Sequence, residues 1–150
     1  MARRVDKRNA LRTWFRLLLL HKTISKKISA HFRSEFALST ARFDTLAQLH
    51  AAGGKMTMGE LSAHLMVTSG NVTGVIDGMV EDRLVRRRPH ATDRRSIIIA
   101  MTPAGRRLFA KVSAALARWI GEAMADMNER ELQQLIALFG KLKHSADKWD

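Results

Sequence analysis

The sequence predicts a mainly α fold carrying a small β-hairpin wing (α+β). Three observations predict it. Apolar residues recur at helical spacing in six runs. Two short runs rich in β-branched residues, 84–88 and 96–101, are joined by the polar loop Pro89-His90-Ala91-Thr92-Asp93-Arg94-Arg95, which reads as a hairpin. Thr102-Pro103 follows directly and starts a helix, with Thr as N-cap and Pro at the first helical position.

The first helix is expected over about 9–33, where Leu11, Trp14, Phe15, Leu18, Ile24, Ile28 and Phe32 keep helical spacing without Pro or Gly. At 1.5 Å per residue it is roughly 35 Å long. Leu17, Leu19 and Leu20 make its middle apolar on nearly every side, and such a helix needs cover all round. A second copy of the chain is the natural cover. Ser39 caps a second helix, which runs to about Ala51 and stops at Gly53-Gly54. Met56-Thr57-Met58 suits a minimal strand, and 59–65 makes about two helical turns. After a turn at 66–68, a helix from about Ser69 to Arg83 has Thr68 as its N-cap. The helix opened by Thr102-Pro103 carries Leu108, Phe109, Val112, Leu116, Trp119, Ile120 and Met124 and ends near Met127. Asn128 and Glu131 form a capping-box pair for a last helix with the stripe Leu132, Leu135, Ile136, Phe139 and Leu142.

A chain of 150 residues with 46% hydrophobic content is long and apolar enough for one domain with a core. Lys and Arg number 26 against 14 Asp and Glu, a net charge of +12. The pI of about 11.2 is the footprint of a protein that meets polyanions. The absence of Cys excludes disulfides, Cys-ligated metals and thiol switches. The apolar run Leu17 to Leu20 is too short for a secretory signal, which needs roughly 7–15 residues, or for a spanning helix, which needs roughly 18. A soluble, cytoplasmic protein with no membrane partner is expected. Six scattered His without paired spacing suggest no metal. No nucleophile–base pair and no phosphate-binding Gly loop supports an enzyme. The lack of Tyr argues against stacking on RNA bases.

Residues 59–101 order as short helix, turn, helix, strand, basic loop, strand, which is a winged helix-turn-helix. In its second helix Val72, Val75, Ile76, Met79 and Val80 form the inward face. The opposite face holds Gly70, Gly74, Asp77, Gly78 and Glu81, flanked by Asn71 and Thr73. Three Gly on one helical face cost roughly 0.8–1 kcal/mol each relative to Ala. A helix that enters a DNA groove offsets that cost by keeping side chains out of the way. Thr68, Ser69, Asn71 and Thr73 are then short neutral groups for base edges or phosphates. Asp77, Glu81 and Asp82 would repel phosphates, so the N-terminal turn is expected in the groove and the C-terminal end away from it.

Between Arg83 and Arg95 stand six Arg and one Asp. Arg86, Arg87 and Arg88 alternate faces along a strand, so only some can meet one duplex. Arg86 and Arg88 are the candidates there. Arg94 and Arg95 at the hairpin tip suit an adjacent minor groove. Asp93 is expected to brace one of them by a charge-assisted pair.

The stretch from Asp93 to Gly105, DRRSIIIAMTPAG, resembles the wing-to-helix signature of the MarR family of bacterial transcriptional regulators. LSAHLMVTSGNVTGVIDGMVEDRLVRR resembles that family's recognition segment, and the helix order matches on either side. The resemblance implies one MarR-like domain over 1–150. Its dimerisation helices would lie at about 9–33 and 103–147, with the winged helix-turn-helix lobe at about 56–101. It implies a homodimer on a pseudo-palindromic double-stranded DNA operator, with Arg94 or Arg95 in the minor groove and Asp93 fixing the wing. Many family members carry Arg or Lys where this chain has Gly74.

The family commonly binds a small aromatic or anionic effector between the first, second and fifth helices. Here His21, Ser25, Ile28, Arg42, Phe43, Leu46 and Phe109 fall in that neighbourhood, and apolar lining with a few polar groups suits a ligand. The first 33 residues carry ten Lys or Arg and one acid, which suits a bulky anion. RSEFALSTARFDTLAQL resembles regulators of aromatic acid catabolism within the family, which implies an aromatic acid or its acyl-CoA (coenzyme A) thioester as effector and no cofactor. Repression released by ligand is the family's commoner mode. The competing reading is a ligand-independent architectural DNA-binding protein, which would bind any sequence alike.

Overall fold

The structure is a computed structural model that describes residues 5–65 and 69–149. It comprises α1 (Lys7–Phe36), α2 (Thr40–Ala51), β1 (Lys55–Thr57), α3 (Met58–His64), α4 (Ser69–Glu81), β2 (Val85–Pro89), β3 (Ile97–Met101), α5 (Pro103–Ala123) and α6 (Glu129–Ala146). Two compact units divide it, one up to Leu116 and one from Ala117.

α1 is longer than the apolar spacing indicates. Asp6 caps it by accepting from the Arg8 N–H. At its far end Ala37 takes a left-handed conformation, φ 49°. The N–H groups of Ala37 and Leu38 return to the carbonyls of Arg33 and Phe32. This closure works because Leu38 is buried and anchors the chain beyond the turn. Leu11, Trp14, Phe15, Leu18, Leu19 and Leu20 are exposed on the single chain, so the cover that the sequence demands is not supplied by α1's own neighbours.

α2 starts at Ser39, whose hydroxyl accepts from the Arg42 N–H, and ends at Gly53 and Gly54, with φ 76° and 98°. The next helix starts one residue earlier than expected. Thr57 and Glu60 form a reciprocal capping box, which draws Met58 out of the strand and into α3. The remaining strand residues, Lys55–Thr57, pair with Ala100, Ile99 and Ile98. The expected hairpin is therefore a three-stranded antiparallel sheet in the order β1-β3-β2.

The core of the first unit gathers Leu46, Leu49, Leu61, Val72, Ile76, Met79, Val85, Ile99 and Met101. Val75 and Val80 pack against it half-buried, which completes the inward face of α4 read from the sequence. The wing root is fastened to α5 at close quarters. The Thr102 hydroxyl donates toward the Arg83 and Leu84 carbonyls, at 2.7 and 3.0 Å, and accepts from the Gly105 N–H at 3.0 Å. A side chain at Gly105 would collide with the Leu84 carbonyl oxygen. α5 ends at Ala123, before the expected Met127, and α6 begins with the expected Asn128–Glu131 capping box. In the second unit, α6 carries exposed Ile136, Leu138, Phe139 and Leu142.

Candidate nucleic-acid interface

α4 presents its polar side outward. Asn71, Thr73, Gly74, Asp77 and Glu81 are exposed. A side chain at Gly74 would meet nothing within 4 Å, so this turn offers bare backbone. Ser69 is the first residue of α4, and Thr68 lies outside the described residues. The expectation that Gly78 shares this open face is corrected. A Cβ there would lie 2.5 Å from Nη2 of Arg42, so Gly78 makes room for a guanidinium of the same chain.

Two of the three acids near the end of α4 are engaged. Asp77 pairs with Arg87 at 2.5 Å, and Asp82 pairs with Arg42 at 2.5 Å. The pairing of Arg87 follows from strand alternation. Arg87 stands opposite buried Ile99, on the sheet face that packs α4. Arg86 and Arg88 stand opposite Ala100 and Ile98 and are exposed on the other face.

The wing tip is a compact turn. His90 donates its N–H to the Ser96 carbonyl, and Ser96 donates to the Asp93 carbonyl. Nδ1 of His90 accepts from the N–H groups of Thr92 and Asp93, at 3.3 and 3.2 Å. The expected brace at Asp93 takes a different form. Its carboxylate accepts from the backbone N–H of Arg95 at 2.9 Å, instead of pairing with a guanidinium. Asp93 thus shapes the turn and leaves both arginine heads outward. Arg94 and Arg95 are exposed. Nearby, the N–H and hydroxyl of Thr57 donate to Glu60 and hold its carboxyl below the ordinary range, with His64 and His90 adding to the effect.

A separate cavity of about 510 Å³ lies between α1 and α2. Ser25, Lys26, Ile28, Ser29 and Phe32 line it from α1, Thr40, Phe43 and Asp44 from α2, and Leu116 from α5. Of the seven residues expected together, Ser25, Ile28 and Phe43 meet here. Phe109 lies behind the wall, stacked on Phe43 with ring centres 5.7 Å apart. Leu46 is fully buried in the core. His21 sits one turn along α1, its Nε2 3.3 Å from the Ser25 hydroxyl. Arg42 is corrected most sharply: attraction to Asp82 and the space over Gly78 draw it away from the cavity. The sequence reading missed Ser29 and Phe32, although both follow from Ser25 and Ile28 at helical spacing. Lys26 was singled out only as part of the basic charge of the first helix that suits a bulky anion, and Asp44 was missed, with no signal to mark it. Burial at the cavity wall pushes the Asp44 carboxyl up.

Among the described residues no helix is long and apolar enough to cross a membrane. A helix-turn-helix followed by an arginine-tipped hairpin defines the class, a winged-helix DNA-binding protein. The MarR family model matches residues 38–96. The transcriptional activatory protein BadR of Rhodopseudomonas palustris is 28% identical over 148 residues, covering 94% of this chain and 82% of that one. The transcriptional repressor YetL of Bacillus subtilis is 28% identical over 123 residues, covering 79% and 74%. The crystal structure of the organohalide-sensing regulator RdhR with bound 2,4-dichlorophenol superposes with a TM-score of 0.76 at 17% identity, covering 97% of this chain and 88% of that one. Over these comparisons the chain is similar to winged-helix transcriptional regulators of the MarR family, and the relatives named are regulators of transcription.

Proposed function

We propose that two copies of this chain, acting in the cytoplasm, grip a pseudo-palindromic operator and repress transcription until a small aromatic or anionic effector releases them. The observation that supports the reading is the wing tip, where Asp93 and His90 hold the backbone and both Arg94 and Arg95 are exposed, together with the short neutral side chains Asn71 and Thr73 exposed on the first turns of α4. The N-terminal turn of α4, with Ser69, Asn71 and Thr73, reads the major groove. Arg94 or Arg95 enters the next minor groove, and Arg86 and Arg88 meet phosphates.

The exposed apolar residues of α1 and of α6 support pairing, because stripes of this size are covered in stable proteins. The cavity beside Phe43 supports an effector site, and Lys26 on its wall suits an aromatic acid or the phosphates of an acyl-CoA thioester. The regulator solved with 2,4-dichlorophenol supports the aromatic class.

The test is selection of duplexes from a random-sequence pool by the purified protein, followed by footprinting and light scattering. A dimer on one palindromic site with steep salt dependence is expected. About 6–10 phosphate contacts lose roughly 10³–10⁵ in affinity between 50 and 200 mM salt. A monomer, or equal affinity for every duplex, sinks the reading.

A further inference from the structure

Arg42 on α2 reaches across to α4, and three observations describe how. Its Nη1 donates to Asp82, just past the end of α4, at 2.5 Å. Its Nη2 occupies the space that a Cβ on Gly78 would need. Its side chain is only 26% exposed, against 55% for Asp82. The guanidinium therefore lies in a notch that glycine alone leaves open, with its charge answered at the helix end. A planar, two-pronged head suits this seat, and a lysine ammonium would fill only part of it.

We infer that Arg42 is a positioning residue that sets how α4 is presented to DNA, through the notch at Gly78 and the carboxylate of Asp82. The inference rests on the reading of α4 as the recognition helix. It gives Gly78 a role distinct from that of Gly74, whose neighbourhood is open. It also gives Asp82 a purpose near a surface where an acid is otherwise a liability.

The experiment measures binding to the duplex that the wild-type protein selects from a random pool. It compares wild type, Gly78→Ala, Arg42→Ala and the double variant. Alanine is the better helix former, so Gly78→Ala should melt no lower than wild type. A residue that only stabilised the fold would then leave binding unchanged. Binding should instead weaken about tenfold, within the range seen for couplings between sites. Arg42→Ala should weaken it by a similar factor and leave the salt slope unaltered. The double variant should lose no more than the worse single, because both changes break one contact. Arg42→Ala carries the test alone if Gly78→Ala does not fold. Single variants within twofold of wild type overturn the inference, as do losses that multiply in the double variant. A salt slope lowered by about one for Arg42→Ala also overturns it, since that marks a phosphate contact. These outcomes leave the DNA-binding reading standing. A wild-type protein that selects no duplex overturns both.

Discussion

Arg87 in the wing strand donates to the carboxylate of Asp77 on α4, ten residues earlier in the chain, at 2.5 Å. The two side chains are 36% and 52% exposed, so the pair contributes only about 0–1 kcal/mol to stability. Its larger effect is on charge. One acid on the outward side of α4 is neutralised, and one wing arginine is kept from phosphate. Asp77→Asn should therefore bind the selected duplex about threefold more tightly, the scale of one exposed charge. The salt slope should steepen by about one as Arg87 becomes free. Fluorescence anisotropy across a salt series measures both, and weaker binding would count against this account.

The wing tip should dominate affinity. Replacing Arg94 and Arg95 together with Ala should cost about a hundredfold at fixed salt and lower the salt slope by about two. Replacing Lys141 and Lys143 on α6 should change affinity less than twofold. Equal losses for the two pairs would remove the wing assignment.

The junction between wing and α5 should be fragile. Thr102→Val removes the hydroxyl's bond to the Arg83 carbonyl and leaves the Gly105 N–H without its cap, while the Leu84 carbonyl keeps the Thr102 N–H, and should cost about 1–3 kcal/mol. Gly105→Ala drives a methyl into a backbone carbonyl, which cannot rotate away as a side chain can, and should cost at least about as much. Urea unfolding of both variants at neutral pH gives the values.

Two carboxylates should respond to pH in opposite senses. Glu60 has a lowered pKa in the folded chain, owing to its hydrogen bonds from Thr57. Its contribution is present above the ordinary value of 4.5 and fades as pH falls through the folded value. Glu60→Gln should lower the melting temperature at pH 7, and the difference from wild type should shrink progressively as pH falls below 4.5.

Asp44 has a raised pKa because burial disfavours its charge. The ionised form therefore destabilises the fold above the folded value, and the penalty vanishes below the ordinary value of 3.8. Asp44→Asn should raise the melting temperature at pH 7 and leave it unchanged near pH 3. Melting curves over that pH range test both carboxylates.

Much of the architecture was legible because it is local. The Asn128–Glu131 box, the Thr102-Pro103 start and the inward face of α4 each lie within a few residues of chain, where spacing and capping decide the outcome. The Thr57–Glu60 box was equally local and was obscured by reading Met58 as strand. What was hidden is long-range. Arg42 and Asp82 are 40 residues apart, and nothing in either neighbourhood names the other. β1 is three residues long, and its pairing with β3 is decided by the packing of the whole unit. The cavity is lined from the first, second and fifth helices, where the family resemblance implied a ligand site, yet only three of its nine lining residues were among the seven named, because which polar side chain turns inward depends on its partners elsewhere.

Among the described residues, the order β1-β3-β2 leaves the outer rim of β2 with backbone groups that no strand satisfies. Such rims invite neighbouring molecules to knit their sheets together. Here the rim reads Arg86-Arg87-Arg88-Pro89: like charges repel a second copy, and the proline lacks an N–H to offer it. The same basic stretch thereby guards the rim of the sheet, and in the proposed function it also meets phosphate.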